Sequence, residues 1–300
     1  MMVDAGSPRH HIDVVVFASP LVRVGRWRCP ADHPQFLDSG PSSDALFAFP
    51  REGVWIEHEG RDPFVADPNT VTYYNRGQNY RRRRLSARGD QCEWFAVAEE
   101  ATAETLAAHE PAAIDRRRSP FPFTRGPSDA DSYLRQRMVF HHVSSEANPD
   151  RLFVEEAVLS ILADVTRLAY LHDATPARPR IRPRGEVDLV EAARDIIARQ
   201  FTENLSLSDI AGHVGSSVFH LARIFKARTG FSQHAYRNQL RLRAALEQLR
   251  DPRVDLTSLA LELGFSSHSH FTETFRRSFA RTPSAVRDLT SAIRNLKSEI

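Results

Sequence analysis

Apolar and polar positions change their period along the chain. Between residues 12 and 100, short segments rich in β-branched and aromatic residues alternate with Pro, Gly, Asp and Asn. They are "HIDVVVFA", "LVRVGRW", "ALFAFP", "GVWIEHEG", "TVTYYNRG", "RRRRLSA" and "CEWFAVAE". This spacing predicts strands of a sandwich or barrel. From about Ala101 the apolar step becomes three to four residues. "DADSYLRQRMVFHHVSS" and "DRLFVEEAVLSILADVTRLAYLH" predict helices, the second with Leu152, Val158, Leu159, Leu162, Val165 and Leu168 at helical steps. "DATPARPRIRPRGE" then carries Pro176, Pro179 and Pro183 with little that is apolar. Proline blocks helix continuation, so this stretch predicts an extended linker over 173–186 between domains at 1–172 and 187–300.

Beyond the linker the pattern is helical throughout. "VDLVEAARDIIARQF" places Leu189, Ala192, Ala193, Ile196 and Ile197 on one face, and "QHAYRNQLRLRAALEQL" does the same with Leu242, Ala245, Leu246 and Leu249. "SLSDIAGHVG" opens on Ser206 with Asp209 three residues later, a variant of the N-terminal capping pattern, and "DLTSLALELG" repeats it with Asp255 in the Ser206 position. The region duplicates itself. Ile210-Ala211 and Val214-Gly215 match Leu259-Ala260 and Leu263-Gly264 at an offset of 49 residues. His220-Leu221 and Phe225-Lys226 match His270-Phe271 and Phe275-Arg276 at 50, which places one extra residue in the second turn. Each copy has a small residue where two helices approach, a glycine able to stop the first helix, and serines (216–217, 266–267) suited to cap the next. That next helix is expected to bury only Leu221 and Phe225, or Phe271 and Phe275. Two helix-turn-helix units with second helices free for a DNA major groove have this design. A helical bundle with repeated capping has it too, and periodicity alone leaves both open.

Three hundred residues suit two domains, and 41% hydrophobic with 26% charged residues is the balance of a globular chain. No run approaches the ~20 apolar residues of a membrane span. "MMVDAGSPRHHIDVVVFASP" lacks a long apolar export core, so a cytoplasmic location with Cys29 and Cys92 reduced is expected. The net charge of +2 conceals an asymmetry. Residues 1–180 hold 22 Lys/Arg against 25 Asp/Glu, and residues 181–300 hold 18 against 13. The basic C-terminal part is compatible with a phosphate-backbone partner.

The string from "LSLSDIAGHVGSSVFHLARIFKARTG" through "GFSSHSHFTETFRRSFARTPSAVR" resembles the DNA-binding domain of AraC/XylS-type bacterial transcription regulators over about residues 187–288. The matching features are Ser217, His220-Leu221, Arg223, Phe225-Lys226, Gly230, Tyr236, Arg241-Leu242 and Ala245. In the second copy they are Gly264-Phe265, His270-Phe271, Phe275-Arg276, Thr282-Pro283 and Arg287. The resemblance implies two motifs held by a long helix at about 233–250, addressing successive major-groove segments of double-stranded DNA. It also implies which residues contact DNA: Ser217, Val218, Phe219, Ala222, Arg223 and Lys226 in the first copy, and His268, Ser269, Thr272, Glu273 and Arg276 in the second. Arg223 is the foremost base reader, since a guanidinium bonds guanine O6 and N7 together; a phosphate contact or an internal ion pair is the alternative. Glu273 departs from the family pattern, where arginine is common, and puts the second motif's DNA contact in doubt. It suits a cytosine N4 contact, pairing with Arg276 or Arg277, or a second motif that serves RNA polymerase. Ala280 stands where Gly230 ends the first copy's helix. His220 and His270 lack Cys/His neighbours and are not read as metal ligands.

The N-terminal strands resemble the cupin-like effector domains often fused to such regulators. The paired His, Glu and later His of a metal-binding cupin are absent: His58-Glu59 and His141-His142 stand alone, and no cofactor is expected. Cys29, His33 and Cys92 would converge as a soft zinc site or redox pair if strands 22–29 and 91–98 were neighbours; two buried thiols are the plainer reading. Arg81–Arg84 and Arg116–Arg118 are compatible with nucleic acid; in a strand alternating arginines point to both faces, so some suit an interior pocket for an anion, and a solvated or ion-paired edge is the commoner reading. The helix near 151–172 packs on its own domain or on a second copy, which predicts a homodimer. The expected fold is α+β: a β-rich cupin-like sandwich or barrel with helices, then an all-α domain with two helix-turn-helix motifs. The expected function is a DNA-binding regulator controlled by a small molecule, with no membrane partner. No catalytic constellation points to an enzyme. The alternatives are a cupin-like enzyme fused to a DNA-binding tail, and a constitutive regulator whose N-terminal half only oligomerises.

Overall fold

The computed structural model describes residues 12–37, 40–174 and 184–288. Contacts divide the chain into two compact units, residues 1–128 with 135–176, and residues 129–134 with 177–300. Most of the expected linker lies outside the described residues. Its last three residues, 184–186, are helical instead, because a helix can begin directly after a proline whose missing N–H it does not need.

The first unit is built on β1 (Asp13–Ala18), β2 (Val22–Cys29), β3 (Leu46–Pro50), β4 (Val54–His58), β5 (Phe64–Ala66), β6 (Thr70–Tyr74), β7 (Tyr80–Arg84), β8 (Asp90–Val97) and β9 (Arg125–Pro127). They form two antiparallel sheets, ordered β1-β2-β8-β3-β6-β9 and β5-β4-β7. Val54, Ile56 and Phe64 of the small sheet join Ala48, Trp94 and Ala96 of the large one in a single core, so the architecture is the expected sandwich. Two strands escaped the sequence pattern. β5 and β9 have three residues each, too few to show a period of two, and β9 returns to the sheet edge well after the helical texture begins.

Helices α1 (Glu99–Ala107) and α3 (Arg151–Ala174) complete this unit, together with α2 (Ala130–Ser145) from residue 135 onward. α3 buries Val154, Val158, Ile161, Leu162, Val165 and Ala169. Leu152, read from the sequence as part of that stripe, is exposed near the helix start. The Tyr73 hydroxyl donates to the Val165 carbonyl (2.9 Å) and pins α3 to the sheet. Of Arg81–Arg84 only Arg82 turns inward. Its guanidinium donates to Asp90 (2.5 Å) and lies 4.8 Å from the Trp27 ring centre. The one inward charge of the run is thus matched by a carboxylate of the same unit.

The second unit is helical: α4 (Arg184–Arg199), α5 (Leu207–Val214), α6 (Val218–Thr229), α7 (Gln233–Gln248), α8 (Leu256–Glu262) and α9 (His268–Phe279). Val190, Ala193 and Ile197 of α4 pack with Ile210, Leu221, Phe225, Tyr236 and Leu240. Inside this core Arg194 donates to the Tyr236 hydroxyl (2.9 Å) and pairs with Glu191 (3.0 Å), so its buried charge is satisfied. Among the described residues no helix is long and apolar enough to cross a membrane.

Candidate nucleic-acid interface

Local chemistry sets each turn. In the first copy Ser206 Oγ accepts from Asp209 N (3.1 Å) while Asp209 Oδ2 accepts from Ser206 N (2.9 Å), a reciprocal cap. α5 ends on left-handed Gly215 (φ 69°), and Ser217 Oγ accepts from His220 N (3.2 Å) to start α6. In the second, Asp255 Oδ2 accepts from Ser258 N (2.7 Å), and Ser267 Oγ accepts from His270 N (3.1 Å) to start α9. Ser216 N donates to Ala211 O (3.0 Å) as Phe265 N donates to Ala260 O (2.9 Å). These equivalent bonds locate the extra residue of the second turn at Ser266. Phe265 is buried, its ring 5.3 Å from that of Phe271.

α6 buries Ile224 besides Leu221 and Phe225, and α9 buries Phe279 besides Phe271 and Phe275. Ile224 widens the expected stripe beside Phe225, whereas Phe279 extends it by one helical turn. The opposite faces are open. Ser217, Val218, Phe219, Arg223 and Lys226 are exposed and Ala222 is half-buried. Ser269, Glu273 and Arg276 are exposed, with His268 and Thr272 half-buried. Phe219, at 81% exposure, is a large apolar side chain left in water.

The two faces differ in charge. Arg223 Nη2 donates to His220 Nδ1 (3.3 Å) and lies 3.7 Å from the Glu186 carboxylate at the start of α4. This loose pair is the internal alternative foreseen for Arg223, and its partner was not foreseen. Glu273 is bridged to both Arg276 and Arg277 at 3.2 Å. Those guanidiniums hold its carboxyl below the ordinary glutamate value, Arg276 contributing most.

Arg241, a residue of the matched family motif whose task the sequence does not reveal, ties the motifs together. From α7 it donates to the carbonyls of Phe201 (2.6 Å), Glu203 (3.0 Å) and Thr202 (3.3 Å) ahead of the first motif, and to Gly264 (2.6 Å) in the turn of the second. Burial, with Arg237 nearby, pushes its pKa down to about 10. A cation held by four carbonyls and no carboxylate leaves no signature in a linear sequence.

β2 and β8 are neighbours as required: Cys29 sits opposite Asp90 and Cys92 opposite Trp27, so the two cysteines share one sheet face on a diagonal and belong to one core cluster, both as free thiols. His33 Nδ1 accepts from the backbone N of Gln35 (3.2 Å). Among the described residues no three His, Cys, Asp or Glu side chains are grouped to hold a metal. Burial pushes both thiols up, so neither is a ready thiolate. His58 is buried between the sheets, its pKa lowered to about 4 chiefly by desolvation.

Two outward-facing second helices, capped alike and braced by one long helix, define a tandem helix-turn-helix protein. Residues 191–288 match the family described as "Helix-turn-helix domain". The probable transcription factor PqrA of Proteus vulgaris is 35% identical over 89 residues, 30% of this chain and 73% of that protein. The regulatory protein PocR of Salmonella typhimurium is 34% identical over 91 residues, 30% of each chain. Among solved structures, an AraC-type transcriptional regulator from Chromobacterium violaceum is 32% identical over 36% of this chain and 97% of that one, with a TM-score of 0.34. ToxT from Vibrio cholerae is 11% identical over 90% of this chain and 98% of that one, with a TM-score of 0.35. The chain belongs to the AraC-type family of helix-turn-helix transcription regulators. It spans less than half the length of PocR and of the Bacillus subtilis regulator YfiF, of which it covers 46%.

Proposed function

We propose that the protein binds double-stranded DNA sequence-specifically through α6 and α9, and that a small molecule held in the first unit controls this binding. The observation that carries the DNA reading is the pair of exposed faces on capped, equivalent helices, with Arg223, Lys226 and Arg276 among their cations. Ser217, Val218, Phe219, Ala222, Arg223 and Lys226 form the reading surface of the first motif. His268, Ser269, Thr272, Glu273 and Arg276 form that of the second. Because Arg276 is engaged with Glu273, the second surface binds DNA more weakly than the first and is open to a contact with RNA polymerase. The effector reading is supported by a cavity of about 180 Å³ inside the first unit. The protein acts as a regulator and not as an enzyme, in the cytoplasm, and as a homodimer, which raises avidity for two DNA sites without new contacts. Selection of bound sequences from random duplex DNA, followed by footprinting of the winner, tests the DNA reading. Recovery of one enriched motif, spanning two major-groove segments on one face, is the expected outcome; retention of random DNA without enrichment overturns it.

A further inference from the structure

The cavity of the first unit lies against the inner face of the large sheet. Trp27 of β2, Trp94 of β8, Tyr74 of β6 and Tyr80 of β7 contribute rings to its wall, with Asp13 and Asp90 as its charged groups. Adjacent residues bring these groups together: Asp13 pairs with Trp27 across β1 and β2, and Trp27 with Cys92 across β2 and β8. Gly25 makes room for the wall. A Cβ at this position would meet the Trp94 ring at 2.1 Å, so a glycine is required for the indole to lie over β2. From there Trp94 Nε1 donates to Asp13 Oδ1 (2.7 Å).

The two carboxylates are not equivalent. Asp90 is bridged to the buried Arg82 (2.5 Å) and its charge is matched. Asp13 has the Trp94 hydrogen bond and no salt bridge among the described residues; Arg23, which acts on it through space, is bridged to Asp44. Asp13 is exposed at the mouth of the cavity; partial burial pushes its carboxyl up from the ordinary value, while the Trp94 hydrogen bond and Arg23 act in the opposite direction. No Lys, Arg or His stands among the described residues lining the cavity. Tyr74, Tyr80 and Cys92 stay neutral because burial raises each of them. Trp27 adds a buried indole Nε1–H that has no partner among the described residues.

We propose that this cavity takes a small organic ammonium ion carrying one oxygen acceptor, of the amino-alcohol class. The assignment rests on the effector reading above and names the chemistry of that ligand. The ammonium sits among the rings of Tyr74, Tyr80 and Trp94, whose quadrupoles attract cations (the Trp27 ring already carries the Arg82 guanidinium), and pairs with Asp13 at the mouth. The ligand oxygen accepts from Trp27 Nε1. A neutral molecule of the same shape leaves Asp13 unpaired, and an anion meets two carboxylates and no lining cation.

Binding to the full chain is read by tryptophan fluorescence and thermal melting. The probes are choline and ethanolamine, tetramethylammonium, the neutral carbon isostere 3,3-dimethylbutan-1-ol, and butyrate. The expected result is saturable binding of choline or ethanolamine, at least tenfold tighter than that of the isostere. Tetramethylammonium, which lacks the oxygen, falls between them. Asp13→Asn keeps an acceptor for Trp94 and removes the charge, and it is expected to erase the tenfold preference. The isostere comparison needs no variant and holds even if Asp13→Asn fails to fold. Equal or tighter binding of the isostere or butyrate, or an unchanged preference in Asp13→Asn, overturns the ammonium assignment and leaves the effector reading standing. If no probe of any charge binds while the protein still selects its DNA sequence, the ammonium assignment and the effector reading both fall.

Discussion

On α6 the outer-face positions 218, 219, 222, 223 and 226 carry Val, Phe, Ala, Arg and Lys. On α9 the equivalent positions, 268, 269, 272, 273 and 276, carry His, Ser, Thr, Glu and Arg. The first face is apolar and cationic. The second is polar, with its carboxylate drawing two arginines onto itself. Beneath these faces the copies agree: a serine cap, an aromatic or aliphatic stripe, and a left-handed residue at the end. Duplication kept what a helix-turn-helix needs in order to fold and let the outward residues diverge.

The comparison can be broken at its core first. Phe225 and Phe275 are both fully buried, and replacing either by alanine is expected to cost about 3–5 kcal/mol in urea unfolding. A cost below about 1 kcal/mol at one site alone shows that the two cores are not equivalent. Next comes the surface. Arg223→Ala is expected to weaken specific DNA binding by about 1–3 kcal/mol, whereas Glu273→Ala releases Arg276 and Arg277 and does not weaken it. Electrophoretic titration on selected and random duplexes checks both, and an equal loss for Arg223→Ala on both duplexes reduces it to a phosphate clamp.

The helix ends test backbone strain. Gly230 (φ 78°) and Ala280 (φ 54°) both hold left-handed geometry, which costs a side-chain-bearing residue about 1 kcal/mol. Gly230→Ala should destabilise by about that amount and Ala280→Gly should stabilise by up to as much, read from denaturation midpoints. The smallest effect concerns Glu186. Its exposed pairing with Arg223 is weak, so Glu186→Gln should tighten DNA binding by under ~1 kcal/mol at low salt and not at all at high salt. Loss of affinity instead would mean that Glu186 orients Arg223 for DNA.

Much of the second unit was legible because its signals are local. The capping pairs Ser206/Asp209 and Asp255/Ser258, the serines before α6 and α9, and the change of offset from 49 to 50 all act within a few residues. The sandwich was legible only in outline. β5 and β9 are too short to carry a pattern, and the inward turn of Arg82 among four consecutive arginines depends on Asp90 on another strand. Arg241 and Glu186 escaped for the same reason: their partners are, respectively, up to 40 residues and 37 residues away in the chain.

By itself the sequence determined where the helices of the two motifs begin and end, that the motif occurs twice, and which faces of α6 and α9 stay in water, because caps, glycines and apolar steps work over one or two turns. Tertiary structure decided which charges are matched and which are left over. Glu273 is bridged to neighbouring arginines, Arg223 is loosely held by another helix, the Arg82 charge is matched by Asp90, and Asp13 has no salt bridge among the described residues at the edge of a ring-lined cavity. Electrostatic pairing depends on distance in space and on exclusion of water, and neither is set until distant strands and helices have packed.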